Sequence, residues 1–261
     1  MSKKVVVITG ANGALGVELV RNYLNEEFQV IAIDLDDSKL KEITPLDNKD
    51  IHFIKKDLSK RTSRKEVFDK ILSKYKQVDI WINNAAIVKM ELLHESTLQS
   101  MDLVMEINYR AYQDFTYFCY QHMREKNQHG SIVNIASMAG HLSLGGISSY
   151  VASKHAVVGL SESLQQEIHV LKEKVHVMLV SPAFFQSSLM KPDGTRKFPE
   201  QFDYFTSSAQ ALSKQIIKAC ANKKLHLTPD LGAKVMSYTK RLSPELTNQV
   251  AYRLINKVLK G

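Results

Sequence analysis

A tyrosine and a lysine four positions apart have the residue types and the spacing for proton transfer. Tyr150 and Lys154 fall within Ser149 to Leu171, a segment whose pattern predicts a helix, so both side chains project from one face. A phenol with a pKa of about 10 is a poor base at neutral pH, but an ammonium within about 6 Å favours the phenolate. The pair therefore predicts a group that takes a proton from, or gives one to, a hydroxyl or carbonyl oxygen.

A serine follows the predicted strand that leads towards this helix. Ser137 lies thirteen residues before Tyr150, after the apolar run Ser131 to Ile135. Residues at the carboxyl ends of parallel strands face the crevice of a doubly wound sheet, so its hydroxyl can donate to a substrate oxygen. An ordinary strand-end or turn serine is the alternative interpretation.

A glycine-rich turn connects the first predicted strand to the first predicted helix. Residues 9–16 read TGANGALG. Backbone amides at a helix N-terminus bind a pyrophosphate because their unpaired N–H groups and the positive end of the helix dipole point at it. The position of this turn favours nucleotide binding over a tight turn without a ligand.

An acidic residue ends the second predicted strand. Asp34 lies twenty-four residues beyond Gly10, near the spacing at which a carboxylate accepts hydrogen bonds from an adenosine ribose. The same carboxylate repels a 2′-phosphate, and Leu35 and the pair Asn12-Gly13 supply no Arg or Lys to hold one. The sequence therefore favours NAD over NADP.

Three further acids lie near the predicted nucleotide site. Asp36 and Asp37 are expected to open the next helix, where negative charge suits the helix dipole. Asp57, at the end of the third predicted strand, either reaches the adenine amino group or forms a turn.

Short β-branched runs alternate with helical patterns along the chain, which predicts a parallel sheet covered by helices on both faces. The predicted strands are Val5 to Ile8, Gln29 to Ile33, Ile51 to Ile54, Val78 to Ile82, Ser131 to Ile135 and Val175 to Val180. The predicted helices are Ala14 to Asn25, Ser38 to Ile43, Arg64 to Tyr75, Leu98 to Lys126 and Tyr150 to Leu171. We expect an α/β fold with a doubly wound, largely parallel sheet of about seven strands, in one domain over residues 1–261.

Two segments depart from this regularity. Residues 184–208 carry aromatic side chains among Pro, Gly, Ser and Lys, a composition that favours a lid or a binding loop and leaves a packed surface flap as the alternative. Residues 229–261 have apolar positions at helical spacing against basic ones, which predicts an amphipathic helical tail. We expect the tail to dock on the core or on a second subunit, with peripheral membrane contact as the alternative.

Composition excludes several classes of protein. Of the 261 residues, 44% are hydrophobic and 24% are charged, which is ordinary for a globular chain. The only cysteines, Cys119 and Cys220, have no spacing typical of a zinc site and indicate a reduced, cytoplasmic protein. No apolar stretch has the length of a membrane span. The formal charge of +8 is spread along the chain, so no nucleic-acid partner is expected.

Four motifs occur in order: TGANGALG at 9–16, NNAA at 83–86, Ser137 with Tyr150-x-x-x-Lys154, and Ser181-Pro182-Ala183. Through them the chain from residue 4 to about 190 resembles a short-chain dehydrogenase/reductase of the compact type, which has a Rossmann-like fold. The resemblance implies that Tyr150 is the general acid/base, that Lys154 lowers its pKa and holds the nicotinamide ribose, and that Ser137 positions the reacting oxygen. It also implies that Asn108 supports a water linking Lys154 to solvent.

The same resemblance implies two sets of binding residues. The cofactor set is Gly10, Asn12, Gly13, Leu15, Gly16, Asp34, Asp57, Leu58, Asn84, Ala85, Ala86, Tyr150, Lys154, Pro182, Phe185 and Ser187. The substrate-pocket set is Ser137, Leu142, Leu144, Tyr150, Phe184 and Met190. The apolar members of the second set indicate a hydrophobic substrate, and no metal is implied.

Some residues depart from the family pattern. Ala14 stands where compact members usually have glycine, with Gly13 before it, but a residue with negative φ at a helix start accepts alanine without strain. Ala86 and Ala183 replace commoner glycines, and Ser187 replaces a threonine while keeping a hydroxyl. None of these changes removes a reacting group.

From these observations we expect an NAD(H)-dependent oxidoreductase that moves a hydride between the nicotinamide and a secondary alcohol or carbonyl carbon. The family likeness implies a homodimer or homotetramer built through residues 108–126 and 150–171. Three alternatives stay open: an NADP(H)-dependent carbonyl reductase, a catalytically silent nucleotide-binding regulatory protein, and an enzyme that modifies sugar nucleotides. The last is disfavoured because little chain follows residue 190.

Overall fold

The computed structural model describes residues 3–44, 48–183 and 208–229, with single residues and short pieces between 235 and 256. The strands in these ranges are β1 (Val5–Thr9), β2 (Gln29–Asp34), β3 (Ile51–Lys55), β4 (Ile80–Asn83), β5 (Gly130–Ile135), β6 (Val175–Val180) and β7 (His226–Leu227). They pair in parallel, in the order β3-β2-β1-β4-β5-β6-β7. The predicted α/β fold with its parallel sheet is confirmed.

The described helices agree closely with the sequence pattern. They are α1 (Ala14–Asn25), α2 (Ser38–Ile43), α3 (Arg61–Tyr75), α4 (Leu98–Met105), α5 (Ala111–Glu125), α6 (Ser148–Leu171) and α7 (Ala209–Ala221). The predicted bounds of α1 and α2 are those observed, whereas α3 and α6 begin slightly earlier than predicted. The sequence pattern did not predict bounds for α7 or for the short strand β7.

Alternate residues of the strands supply two apolar cores, one on each face of the sheet. In β1, Val6 and Ile8 face the core that α1 and α7 cover, while Val5 and Val7 face the core that α3, α5 and α6 cover. The strands β1, β5 and β6 are buried along their whole length. Such continuous burial is typical of parallel sheets because helices exclude water from both faces.

The helix predicted from Leu98 to Lys126 is not continuous. A π-helical turn at Glu106–Arg110 separates α4 from α5. Turns of this kind occur mostly as single interruptions of α-helices and often at functional sites. Here the buried Asn108 lies within the turn and its side chain bonds the loop after β4, a contact that hydrophobic periodicity does not reveal.

The strand order reverses at β1, which lies between β2 and β4. Connections on the two sides of β1 therefore leave in opposite directions, and a crevice opens beyond the carboxyl ends of these strands. Thr9 ends β1, Asp34 ends β2 and Asn83 ends β4. The residues just beyond them are brought to one edge of the sheet.

The two irregular segments of the sequence fall mainly outside the described residues. Of residues 184–208 only Ser208 is described; its side chain accepts a hydrogen bond from the Ala211 N–H at 3.1 Å and caps α7. Of residues 229–261 only Pro229 and scattered positions are described. Both segments therefore stay predictions. In the described ranges, no helix is long and apolar enough to cross a bilayer.

Candidate active site

The glycine-rich turn after β1 passes very close to the loop after β4. Gly10 has φ +64°, and a Cβ at this position would lie 2.6 Å from the Ala85 Cα. Gly16 would place a Cβ against the carbonyl oxygen of Gly10. Only glycine fits at both positions, because a side chain would collide with backbone atoms and, at Gly10, would require a strained conformation. The predicted need for these glycines thus has a direct steric cause.

The alanine that departs from the family pattern is accommodated. Gly13 precedes α1 with φ −72° and ψ 165°, and Ala14 is the first residue of the helix. Ala14 is not among the described residues with positive φ. Its methyl group therefore causes no backbone strain, as the sequence analysis expects.

The loop after β4 is fixed against this turn by Thr9 and Asn84. The Thr9 hydroxyl accepts hydrogen bonds from the N–H groups of Asn84 at 3.0 Å and Ala85 at 3.1 Å. The Asn84 amide donates to the carbonyl oxygens of Thr9 at 3.0 Å and Gly10 at 2.9 Å. Neither loop can move alone without leaving these polar groups unpaired.

Asp34 is held by two backbone amides. Its carboxylate accepts hydrogen bonds from the N–H of Asn12 at 2.8 Å and from the N–H of Leu35 at 2.7 Å. Burial raises the pKa of Asp34, while these two hydrogen bonds act in the opposite direction because they favour the carboxylate. The side chain is thereby fixed beside the glycine-rich turn.

Asn12 organises the start of α2. Its side-chain oxygen accepts hydrogen bonds from the N–H groups of Lys39 at 2.9 Å and Leu40 at 3.2 Å. Its amide donates to Asp36 at 2.9 Å. Asp37 occupies the N-cap position of α2, in agreement with the prediction that these acids open the helix. The Asn12 side chain thus joins the turn after β1 to the helix after β2.

A cavity of about 390 Å³ lies along this edge of the sheet. Every predicted cofactor residue up to position 86 lines it except Gly16, which packs beneath the turn. These lining residues are Gly10, Asn12, Gly13, Leu15, Asp34, Asp57, Leu58, Asn84, Ala85 and Ala86. Asp57 also accepts a hydrogen bond from the Ser59 N–H at 2.9 Å, so the turn-forming role proposed for it is observed. Two lysines that the sequence pattern does not single out, Lys39 and Lys56, line the same cavity.

Ser137 and Tyr150 meet beyond the carboxyl end of β5. Ser137 precedes a short 3₁₀ turn at Met138–Gly140, and its hydroxyl accepts a hydrogen bond from the Ala139 N–H at 3.1 Å. A side-chain hydrogen bond also joins Ser137 to Tyr150. Burial raises the pKa of Tyr150, and the bond to Ser137 opposes that rise.

Lys154 lies beneath this pair and is almost completely buried, with 1% of its surface exposed. Its ammonium donates to the carbonyl oxygen of Ile135 at 2.9 Å and to the hydroxyl of Tyr112 at 3.5 Å. It lies 4.9 Å from the centroid of the Tyr112 ring and 5.7 Å from that of Tyr150. Burial lowers the pKa of Lys154 to about 7, because water no longer stabilises the charged form.

The expected effect of Lys154 on Tyr150 needs correction. The sequence analysis expects the ammonium to lower the pKa of Tyr150, whereas burial raises it and Ser137 supplies the opposing contribution. The physical reason is that the crevice wall removes water from the phenol and from Lys154 alike. The predicted proximity of the two side chains is nevertheless present in the structure.

Asn108 joins the π-helical turn to two neighbouring elements. Its amide donates to the Ile87 carbonyl oxygen at 2.8 Å, and its side-chain oxygen accepts from the Ile87 N–H at 2.8 Å. The amide also lies 3.2 Å from the hydroxyl of Ser153, the residue before Lys154. The structure thus brings Asn108 next to the segment that carries Tyr150 and Lys154.

A buried arginine supports the π-helical turn from outside the crevice. Arg64, on α3, donates to the Glu106 carboxylate at 3.0 Å, to the Asp114 carboxylate at 2.9 Å and to the Leu58 carbonyl oxygen at 2.9 Å. Leu58 lines the nucleotide cavity, whereas Glu106 begins the turn that contains Asn108. The Arg64 guanidinium therefore links the lining of the cavity to the turn that contains Asn108.

The remaining predicted residues are only partly described. The Pro182 carbonyl oxygen accepts a hydrogen bond from the Met138 N–H at 2.8 Å, which attaches the segment after β6 to the Ser137 turn. Leu142 and Leu144 are half-buried in the loop before α6. Phe184, Phe185, Ser187 and Met190 lie outside the described residues. Among the residues that are described, no cluster of metal-ligating side chains occurs.

Two signals in the sequence could have identified residues that the analysis missed. Tyr112 follows Asn108 by four positions, the same spacing that placed Tyr150 and Lys154 on one helix face. Thr9 ends β1 directly before the first glycine, where a short hydroxyl side chain can bond the adjacent loop.

Comparison with known proteins gives one consistent result. A family model described as short chain dehydrogenase matches residues 4–197. The "Dehydrogenase/reductase SDR family protein 7-like" of Dictyostelium discoideum is 29% identical over 273 aligned positions, covering 98% of this chain and 83% of the relative.

Solved structures share the fold. A short chain dehydrogenase/reductase from Burkholderia phymatum in complex with NAD has a TM-score of 0.83 and 22% identity, covering 94% of this chain and 95% of that one. A short-chain dehydrogenase from Sphingobium yanoikuyae in complex with NADPH has a TM-score of 0.78 and 19% identity, with the same coverage of 94% and 95%. Structural relatives therefore include both an NAD and an NADPH complex.

Proposed function

The chain belongs to the short-chain dehydrogenase/reductase family of oxidoreductases, and from this premise we propose that it transfers a hydride between NAD(H) and a secondary alcohol or carbonyl carbon. The observation that carries the proposal is the convergence of Ser137, Tyr150 and Lys154 at the edge of the sheet that also forms the nucleotide cavity. Fold alone does not determine function, so the argument depends on these groups.

The cavity fits a nicotinamide nucleotide. Gly13, at the N-cap position of α1, lines the cavity and has no side chain, which permits a phosphate to approach the backbone at the start of α1. Asp34 is fixed where it can accept hydrogen bonds from a ribose. When bound, the nucleotide supplies the hydride acceptor or donor; the protein binds it, orients it and handles the proton.

Tyr150 is proposed to exchange that proton with the substrate oxygen. Its raised pKa keeps the hydroxyl protonated at neutral pH, the form that donates to a carbonyl oxygen during reduction. In the oxidative direction the phenolate accepts the hydroxyl proton; the hydrogen bond from Ser137 favours that form, and Lys154 in its charged state is proposed to add to this effect. Ser137 bonds the reacting oxygen and stabilises the charge that develops on it.

Lys154 and Asn108 are proposed to position the reacting groups without exchanging the proton themselves. Lys154 is held by the Ile135 carbonyl oxygen close to Tyr150, and it would donate to the nicotinamide ribose when the nucleotide is bound, as the family likeness implies. Asn108 holds Ile87 and Ser153 and supports the water that links Lys154 to solvent, as the family likeness implies. Both roles depend on rigid packing, since small displacements reduce the rate strongly.

We favour NAD over NADP because the Asp34 carboxylate would repel a 2′-phosphate. One observation supports the second candidate, an NADP(H)-dependent carbonyl reductase: Lys39 and Lys56 line the same cavity. Lys56, however, is paired with Glu66 at 2.7 Å, which neutralises part of its charge. Rates with NADH and NADPH at equal concentration distinguish the two candidates.

The substrate is proposed to be hydrophobic. Leu142 and Leu144 lie on the loop between the Ser137 turn and α6, and Phe184 and Met190 are expected to join them. We further propose a single domain over 1–261, with residues 184–208 as a lid and residues 229–261 as a docking tail. A homodimer or homotetramer through α5 and α6 completes the proposal, since family likeness supports it.

The proposal is tested with purified protein, NADH and a panel of apolar ketones. Tyr150→Phe should reduce turnover by roughly a hundredfold to ten-thousandfold, the usual contribution of a general acid, while NADH binding stays nearly unchanged. Tyr117→Phe, an exposed tyrosine on α5, is the matched control and should retain wild-type turnover. Equal turnover in Tyr150→Phe and wild type would reject the role of Tyr150. Absence of turnover with all ketones, and with the matching alcohols and NAD, would favour the silent regulatory protein.

A further inference from the structure

The ammonium of Lys154 is buried without an acidic partner. Among the described residues it donates only to Ile135 and Tyr112, and it forms no ion pair. A buried charge without compensation is costly, and the group then tends to become neutral instead. The surrounding groups must therefore decide how much of the positive charge is retained.

Tyr112 provides compensation of two kinds. Its ring centroid is 4.9 Å from the Lys154 nitrogen, within the range of a cation–π interaction. Its hydroxyl lies 3.5 Å from the same nitrogen and donates to the Ile135 carbonyl oxygen at 3.2 Å. Lys154, Tyr112 and the end of β5 thus form one closed set of contacts.

Tyr112 is itself held firmly in place. It is 1% exposed and packs with Ala136, Val157, Val158 and Leu179. It lies near the start of α5, four positions after Asn108 in the π-helical turn, and both residues contact α6, Tyr112 through Lys154 and Asn108 through Ser153. Its ring is therefore held by apolar packing in addition to its contacts with Lys154.

We propose that Tyr112 is a positioning residue that holds the Lys154 ammonium under Tyr150 and maintains its charge through the ring face and the hydroxyl. The groups that face Lys154 are Tyr112 from α5, the Ile135 carbonyl from β5 and the Tyr150 ring from its own helix. Tyr112 is the one among them that is neither backbone nor part of the proton-transfer pair. The catalytic consequence rests on the proposed function, whereas the effect on Lys154 does not.

The decisive experiment measures the protonation of Lys154 directly. Lysine labelled with ¹³C at the ε position is titrated by NMR in the full-length protein, and the Lys154 signal is assigned by its loss in Lys154→Met. Phenylalanine carrying increasing numbers of fluorine atoms is then incorporated at position 112, which weakens the negative ring face while changing its size very little.

The Lys154 pKa should fall stepwise along the fluorinated series, with a total fall of at least about threefold in the protonation constant. Tyr112→Phe should lower the pKa by less than the fluorinated rings, because it loses the hydroxyl and keeps the ring face. Tyr23→Phe is the matched control: Tyr23 is equally buried on α1, and its hydroxyl has no hydrogen-bond partner among the described residues. It should leave Lys154 unchanged.

A Lys154 pKa that stays constant across the series overturns the proposal, because a residue that only fills space would give this result. In the active enzyme, the pH profile of kcat should shift with the measured pKa while the KM of the ketone changes little. If the wild type has no activity with nicotinamide nucleotides, the proposed function is wrong, yet the titration still decides whether Tyr112 maintains the charge.

Discussion

The two halves of the site are built from different parts of the chain. The nucleotide half consists largely of backbone: the turn at Gly10, the amides that bond Asp34 and the loop after β4. The catalytic half consists of buried side chains from α5 and α6 that meet at the end of β5. Backbone sites are determined by local conformation, whereas side-chain sites depend on how distant elements pack.

The comparison also separates the electrostatics of the two halves. Asp34 is a partly buried acid whose charged form is supported by two N–H groups. Lys154 is a fully buried base, and in the part of the chain that the structure describes its charged form is met by a carbonyl, a hydroxyl and two aromatic rings. The effects of substitutions in the catalytic half should therefore depend strongly on pH. The effects of substitutions in the nucleotide half should depend mainly on the shape of the new side chain.

The largest expected effect concerns Lys154 and the free energy of unfolding. Its pKa of about 7 in the folded protein is below the value of 10.5 for an unperturbed lysine. At pH values between these two, the unfolded chain therefore binds more protons than the folded protein does. Wild-type stability should thus rise with pH across this window, relative to Lys154→Met, by roughly 3 kcal/mol. Urea unfolding of both proteins at about pH 7 and about pH 10 measures this difference. A constant difference would mean that Lys154 titrates like an exposed lysine.

A smaller effect is expected from a change of shape in the nucleotide half. Gly10→Val should weaken NADH binding by roughly a hundredfold, because its Cβ would meet the Ala85 backbone and its φ of +64° strains a branched residue. Gly159→Val is the matched control, because Gly159 lies on α6 outside the residues that line the cavity and a Cβ there would meet no atom within 4 Å. NADH fluorescence titration checks both variants. Equal affinities in the two would show that the close approach at Gly10 does not matter.

The smallest effect concerns nucleotide choice. Asp34→Ala should reduce the ratio of kcat/KM with NADH to kcat/KM with NADPH by roughly tenfold. The variant loses one or two hydrogen bonds to the ribose of NADH and no longer repels the 2′-phosphate of NADPH. Asp57→Ala, in the same cavity, should change this ratio less because its carboxylate bonds the Ser59 N–H. A wild type that already prefers NADPH would show that Lys39 and Lys56 outweigh Asp34.

The structure brings together the residues that the sequence predicts for the nucleotide half, and it does so for a physical reason. Gly10, Gly16 and Asp34 act through local turns at fixed distances from a strand end, so their spacing alone identifies them. The positions of six strands along the chain followed similarly, to within two residues at each end, because burial of both faces produces continuous apolar runs.

The catalytic half was predicted only in part. The spacing of Tyr150 and Lys154 placed them on one helix face, but the direction of the Tyr150 pKa depends on burial by distant segments. The π-helical turn, Tyr112 and Arg64 were missed because each acts through contacts between elements far apart in sequence. Periodicity within one helix contains no information about such contacts.

The contacts of Arg64 have a consequence for how the site meets its ligands. One side-chain nitrogen bonds Leu58, which lines the cavity, and Glu106, which begins the turn that contains Asn108. If Leu58 and Glu106 moved apart, the buried Arg64 guanidinium would lose one of these partners, at a cost of about 3–5 kcal/mol. The distance between Leu58 and Glu106 is therefore set by the folded protein before a ligand binds, and the proposed dinucleotide would have to match it.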